Sequence, residues 1–180
     1  IYIGTILKSK YMRCRDFKPG NLISTSSGSS WKLVAKRGSI ESDATFNPHF
    51  TPDEMLRLGV FGGVYIRGME TEIPIEWILM ALINHTINVE SEIPMPEFNC
   101  YGVISVQNIE EWKRNGWIYD DDPKGWFQWY IRYFLGRRCD DDARQRNRWH
   151  AFRRHIGQIR AHPNQPRLSQ RQACIQWAYN

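Results

Sequence analysis

Apolar and polar positions change their period along the chain, and each change predicts an element. Ile1-Tyr-Ile-Gly-Thr-Ile-Leu-Lys8 alternates apolar with small or polar residues, and Trp31-Lys-Leu-Val-Ala-Lys36 does the same. Alternation with β-branched residues predicts two strands. Asn21 to Ser30 is rich in Ser, Thr and Gly, a composition that predicts a flexible loop at 21–30. Beyond residue 50 the period becomes helical. Thr51-Pro-Asp-Glu54 combines an N-cap, a first-turn proline and a capping-box glutamate, predicting a helix through Leu58 that stops at Gly59. Gly62-Gly63 predicts a tight turn or close backbone packing. Pro74 opens a helix from Ile75 to about Asn84, with Trp77, Ile78, Ala81 and Leu82 on one face. Residues 90–96 read as a connector. Asn108 should cap a short helix, Ile109 to Arg114, which Asn115-Gly116 ends.

The segment 120–180 has its own pattern. Lys124 to Leu135 is apolar nearly all round, which predicts a helix at the buried centre of the fold, ended by Gly136. Asp140-Asp-Asp142 should open a second long helix, to about Ala161, with Trp149, Phe152, Ile156 and Ile159 as a narrow apolar seam. Ser169-Gln-Arg-Gln172 reads as a capping box for a final helix. The fold class predicted is α+β: a small N-terminal β-sheet or hairpin packed on a predominantly helical C-terminal half. One domain over 1–180 is expected, with a β-rich segment at 1–50, a helical and irregular middle at 51–119 and an Arg/Trp-rich helical module at 120–180.

Composition adds little to the class but directs attention to the rings. Of 180 residues 42% are hydrophobic and 13% aromatic, with eight tryptophans, implying large buried rings or ring faces that bind something. Cys14, Cys100, Cys139 and Cys174 are scattered without ligand spacing, so neither a disulfide framework nor a zinc site is expected. No stretch approaches the roughly 18 apolar residues of a membrane span, and no secretory leader pattern is visible. The expectation is an intracellular protein, cytoplasmic or nuclear, with no membrane partner.

Charge changes the picture more. The net +5 hides a split: residues 1–123 carry 12 Lys/Arg against 16 Asp/Glu, and residues 124–180 carry 12 against 3, eleven of those twelve cations being arginine. This asymmetry points to an anionic partner, above all a DNA or RNA backbone. Guanidinium groups grip phosphates bidentately, and the candidate polyanion-binding residues are Arg144, Arg146, Arg148, Arg153, Arg154 and Arg160 on the long helix, extended by Arg137, Arg138 and Arg171. Pairing with the acidic half, or docking on an acidic protein surface, would use the same residues. An enzyme clamping a small phosphorylated or acidic substrate is the other alternative.

Other constellations have simpler readings. Trp126, Phe127, Trp129, Tyr130, Tyr133 and Phe134 could stack bases, but a helix apolar on every side belongs in a core, with Trp149 and Trp177 as packing partners. Asp120 to Asp122 and Asp140 to Asp142 could hold Mg²⁺, yet both precede helices, where capping accounts for them. His150 and His155 diverge around a helix and do not chelate easily. No metal or cofactor is predicted. No nucleophile elbow or cysteine signature marks a catalytic residue, although His49, Glu54, Glu70 and Glu72 could act as bases in a cleft.

Asp122-Pro-Lys-Gly-Trp-Phe-Gln-Trp-Tyr130, Gly136-Arg-Arg138, Ala143-Arg-Gln145 and Arg148-Trp149 together resemble a protein family of uncharacterised activity. Leu58-Gly-Val-Phe-Gly-Gly63 is similar to a further segment of it. The resemblance covers roughly residues 48–180. It implies one integrated domain and supplies no catalytic residue.

Overall fold

The computed structural model describes residues 11–40, 45–105 and 109–180. Among them lie a two-stranded antiparallel hairpin near the N-terminus and helices that make up most of the remaining ordered elements, an α+β, helix-dominated architecture. The strand expected at 1–8 lies outside the described residues, as does Asn108.

The hairpin itself falls where a flexible loop was expected. Strand β1 (Leu22–Ser24) pairs with β2 (Ser30–Lys32) in the register Leu22↔Lys32, Ile23↔Trp31 and Ser24↔Ser30. Ile23 is completely buried, while its neighbours face solvent. One apolar anchor, together with a turn in which Thr25 bonds the hydroxyls of Ser27 and Ser29 at 2.8 and 2.7 Å, orders a segment whose composition is otherwise that of a loop. The second strand is shorter than its alternating pattern because the chain leaves the ladder to dock elsewhere. Val34 and Ala35 both donate to the Gly136 carbonyl, at 2.9 and 3.0 Å. Gly136 adopts φ +119, and a Cβ there would collide with the Ala35 carbonyl oxygen. Only glycine can both end the helix and admit this strand.

Helix α1 (Pro52–Leu58) begins as its sequence predicts. Thr51 Oγ1 accepts from Glu54 N, the Glu54 carboxylate accepts from Thr51 N at 2.7 Å, and Gly59 closes the helix. Helix α2 (Ile75–Ile83) buries Ile75, Trp77, Ile78 and Ala81. Between them the Gly62-Gly63 turn lies against the connector, with Met95 N donating to Gly62 O and a Cβ on Gly62 falling 2.5 Å from Pro94 Cβ. After α3 (Ile109–Arg114) comes α4 (Trp126–Leu135), in which every residue except Phe134 is buried.

Helix α4 is the axis of the core. Trp126 stacks on Trp177 with ring centroids 4.8 Å apart, Phe127 stacks on Phe61 at 5.3 Å, and Trp129 meets Phe46 edge-on at 5.8 Å. The core cluster extends from Phe17 to Tyr179, so distant parts of the chain converge on this one helix.

The long helix expected over 140–161 is instead two. Helix α5 (Asp142–Phe152) and α6 (Arg154–Arg160) meet at Arg153, where Arg153 N bonds His150 O and Ile156 N bonds Arg153 O, each three residues back. This tightened turn bends the seam so that Trp149 stays in the core while Ile156 and Ile159 are half-buried. Helix α7 (Leu168–Gln176) starts without a side-chain cap. The capping box at Ser169–Gln172 does not form, because the Gln172 amide is engaged across the fold. Its Oε1 accepts from Tyr101 N and its Nε2 donates to Gly59 O, both at 3.0 Å. Among the described residues, no helix is long and apolar enough to cross a membrane.

Candidate functional site

The arginines of the C-terminal module divide into inward and outward sets. Arg137, predicted as part of a binding surface, is only 5% exposed and grips Asp122 with both guanidinium nitrogens, Nη1 at 2.9 Å from Oδ1. Burial opposes its charge, yet the hydrogen bonds and proximity of Asp122 prevail and raise its pKa. Arg132, which the sequence did not single out, joins the same carboxylate at 3.0 Å and reaches Glu72 with Nε at 2.8 Å. Trp31 Nε1 donates to the same Glu72 oxygen at 2.8 Å. Two buried cations therefore face two buried anions, linking the hairpin, the residue 72 turn and α4. Arg138 donates to the Tyr133, Arg137 and Ser39 carbonyls and lies 4.0 Å over the Tyr133 ring. The pairing of basic module with acidic half is thus real for Arg132 and Arg137, and it is a core interaction.

Helix α5 spends two more arginines on packing. Arg148 donates to Trp117 O at 2.7 Å and lies over the rings of Trp112, Trp117 and Trp177. Burial, then Arg144, pull its pKa down to about 10. Arg144 binds Asp141 through Nε at 2.5 Å and Nη2 at 2.9 Å, and reaches Trp117 O at 3.4 Å. Arg146 is half-buried.

The aspartate runs are mostly consumed by these contacts rather than by capping. Asp122 is the counterion of Arg132 and Arg137. Asp141 holds Arg144 and Gln145, and Asp142 accepts from the Trp129 indole at 2.8 Å. Among the described residues no group of three His, Cys, Asp or Glu side chains could hold a metal ion.

The outward set defines a groove. Arg153, Arg154 and Arg160 are exposed and make no ion pair among the described residues. Arg153 and Arg160 line a hollow of about 360 Å³ with His49, His150, Thr45, Asn47 and Tyr179. An adjoining hollow of about 400 Å³ adds Arg171, Tyr101 and Asn180, and the two share Ile156, Arg160 and Tyr179. The bend at Arg153 makes this geometry by carrying α6 across the ends of α7 and of the segment around His49. No acidic side chain lines either hollow among the described residues. Arg171 Nε is held by Pro166 O at 3.0 Å. His49 Nδ1 accepts from Asn180 N at 3.0 Å. His150 Nε2 lies 3.1 Å from Thr45 Oγ1. Burial pushes the Tyr179 hydroxyl up to about 12, with Arg153 pulling the other way, so it remains a neutral donor to Trp149 O.

Of the nine arginines expected at a polyanion site, Arg153, Arg160 and Arg171 line this groove. Arg154 lies on the same helix outside the hollows, and the other five sit elsewhere. The composition of the groove became visible only once His49 and Thr45 met α5 and α6, more than 100 residues away in sequence. Comparison with family models, with curated proteins and with solved structures returns no match to this chain.

Burial keeps Cys139 and Cys174 in the thiol form. Burial pushes the Cys139 thiol up to about 12, with Arg137 opposing and Asp142 adding, and burial pushes Cys174 to about 11. Both folded values exceed the ordinary 9.0. Their contribution to stability is therefore complete below pH 9 and is lost as pH rises toward 11 and 12. Iodoacetamide at about pH 8 is expected to modify buried Cys174 only at the rate of unfolding and half-buried Cys139 more slowly than exposed Cys100, read by mass spectrometry with and without urea. Rapid modification of Cys174 in the native protein would contradict its burial.

Proposed function

We propose that the protein binds a polyanion, best matched by a nucleic-acid backbone, along the groove lined by Arg153, Arg160 and Arg171. The observation that carries this reading is a convergence of cations: Arg153, Arg160 and Arg171 line one concave surface whose described lining contains no acidic side chain. Such a surface attracts phosphates and releases their counterions on binding, so affinity falls steeply with salt. Few groups there are placed to read base edges, which makes backbone contact the main term.

The test is fluorescence anisotropy with labelled single- and double-stranded oligonucleotides across a salt series. Changing Arg153 and Arg160 together to alanine is expected to flatten the slope of log K against log salt by about 2. Lys113→Ala, at a distant exposed residue paired with Glu110, should leave it unchanged. No binding at low salt would remove the proposal.

A second reading is an enzyme on a phosphorylated substrate, favoured by His49 and His150 standing in the same hollow as Arg153 and Arg160. Arginines would hold the phosphoryl group and an imidazole would move the proton. Turnover of a phosphoester that is lost in His150→Ala, with oligonucleotide affinity retained, would separate this reading from simple binding. The alternative of docking on an acidic protein has less support. Among the described residues, Leu168 is the one large apolar side chain of the 120–180 module that is well exposed, so an apolar patch beside the basic face is missing.

A further inference from the structure

A second concavity, independent of the arginine groove, lies between α3, α7 and the Phe61–Tyr65 turn. It encloses about 270 Å³, and five rings form its walls: Phe61, Tyr65, Trp112, Phe152 and Trp177. The rings are braced against each other, with Phe152 stacked on Trp177 at 4.9 Å, Phe61 against Tyr65 at 4.5 Å, and Trp112 against Trp177 at 6.2 Å. A cavity of roughly 150 Å³ accommodates benzene, so this one has room for two fused rings. Flat walls of this kind favour a planar aromatic guest, held by stacking and edge contacts.

Among the described residues, one charged group lines the cavity. Lys124 Nζ donates to Tyr65 O at 2.8 Å and to Arg67 O. Two of its three N–H bonds are thereby spent on neutral carbonyls, and no carboxylate lies within ion-pair reach among the described residues. Glu70 and Glu72 act on it only from a distance, and Glu72 is committed to Arg132. The amide of Gln176, which lines the cavity with Ser105, is fully used: Phe61 N donates to its Oε1 at 3.2 Å, and its Nε2 donates to Ser105 O at 2.5 Å. The remaining N–H of Lys124 is therefore the charged donor available to orient a guest, and its charge selects an anion.

We propose that this cavity binds a bicyclic planar aromatic molecule bearing a carboxylate, with the rings between the aromatic walls and the carboxylate on the Lys124 ammonium. Ring burial supplies most of the affinity, and the charge-assisted bond selects the acid over its neutral analogue.

Isothermal titration calorimetry of the whole chain with 2-naphthoate and 2-naphthylmethanol tests this directly. The acid is expected to bind about tenfold more tightly than the alcohol. Lys124→Met should bring the two affinities together. Ala173→Leu, which places a larger side chain in the cavity wall from within α7, should abolish both, while circular dichroism reports an unchanged fold. The Arg153→Ala/Arg160→Ala double variant should bind 2-naphthoate as the parent does, because the anion site is a different one. An absence of heat up to millimolar ligand would overturn the proposal. So would a folded Ala173→Leu variant that binds normally, a Lys124→Met variant that still prefers the acid, or a loss of binding confined to the groove variant.

Discussion

Asp122→Asn is expected to destabilise the protein by about 3–5 kcal/mol, lowering the melting temperature by about 10 °C for a chain of this length. The substitution preserves shape and removes one charge. Asp122 is completely buried and is the shared anion of Arg132 and Arg137, themselves 4% and 5% exposed. Asparagine would leave Arg132 with the Glu72 carboxylate and Arg137 with no ion-pair partner among the described residues. The cost is dominated by that uncompensated cation rather than by the lost attraction, since solvent cannot reach it without opening the core. Urea unfolding monitored by tryptophan fluorescence gives the measurement. A change below about 1 kcal/mol, the value of a surface pair, would show that the network is hydrated rather than enclosed. The effect should also extend to the hairpin, because Glu72 holds the Trp31 indole.

Phe46→Ala should cost a similar amount, about 3–5 kcal/mol. Its ring, 1% exposed, makes edge contacts with Trp129, Tyr130, Tyr133 and Trp149 at centroid distances of 5.1 to 6.1 Å. Removing it leaves a void among rings too large and too well packed to collapse into it. Phe46→Leu should recover part of the loss by filling volume, but not the ring-edge contribution of about 0.5–1.5 kcal/mol per pair. Equal stabilities for the alanine and leucine variants, measured by the same unfolding experiment, would contradict this account. Loss of Phe46 should also loosen the groove, since Thr45, Asn47 and His49 flank it in sequence and line the hollow beside Arg153.

These two positions show why the fold was more legible than the site. Helix α1 is written in Thr51, Pro52, Glu54 and Gly59, residues whose signals act within one turn. The burial of α4 is equally local, because a helix apolar on all sides has no face to offer water. Phe46 sits in a stretch without periodicity, so nothing nearby marks it as the ring that four others surround. The hairpin was displaced for the same reason: Ser- and Gly-rich composition describes Asn21 to Ser30, but the burial of Ile23 against its cross-strand partner Trp31 decided its structure.

Charge was legible only as an inventory. Nine candidate arginines look alike in a string, and a helical wheel cannot tell that Arg148 will lie over three tryptophan rings or that Arg137 will find Asp122. Gln172 and Gln176 likewise pass for helix surface until Gly59, Phe61, Tyr101 and Ser105 present backbone groups to them.

By itself the amino-acid sequence determined the bounds of α1 and α2, the central place of residues 126–135 and the excess of arginine after residue 123, because capping, periodicity and charge count act over a few residues. The tertiary structure alone decided which arginines are structural and which face a groove, where His49 and His150 meet Arg153, and that five rings enclose a space beside Lys124. Those outcomes depend on contacts between segments tens of residues apart, and burial, which sets both the cost of a charge and the availability of a ring, exists only once the segments have packed.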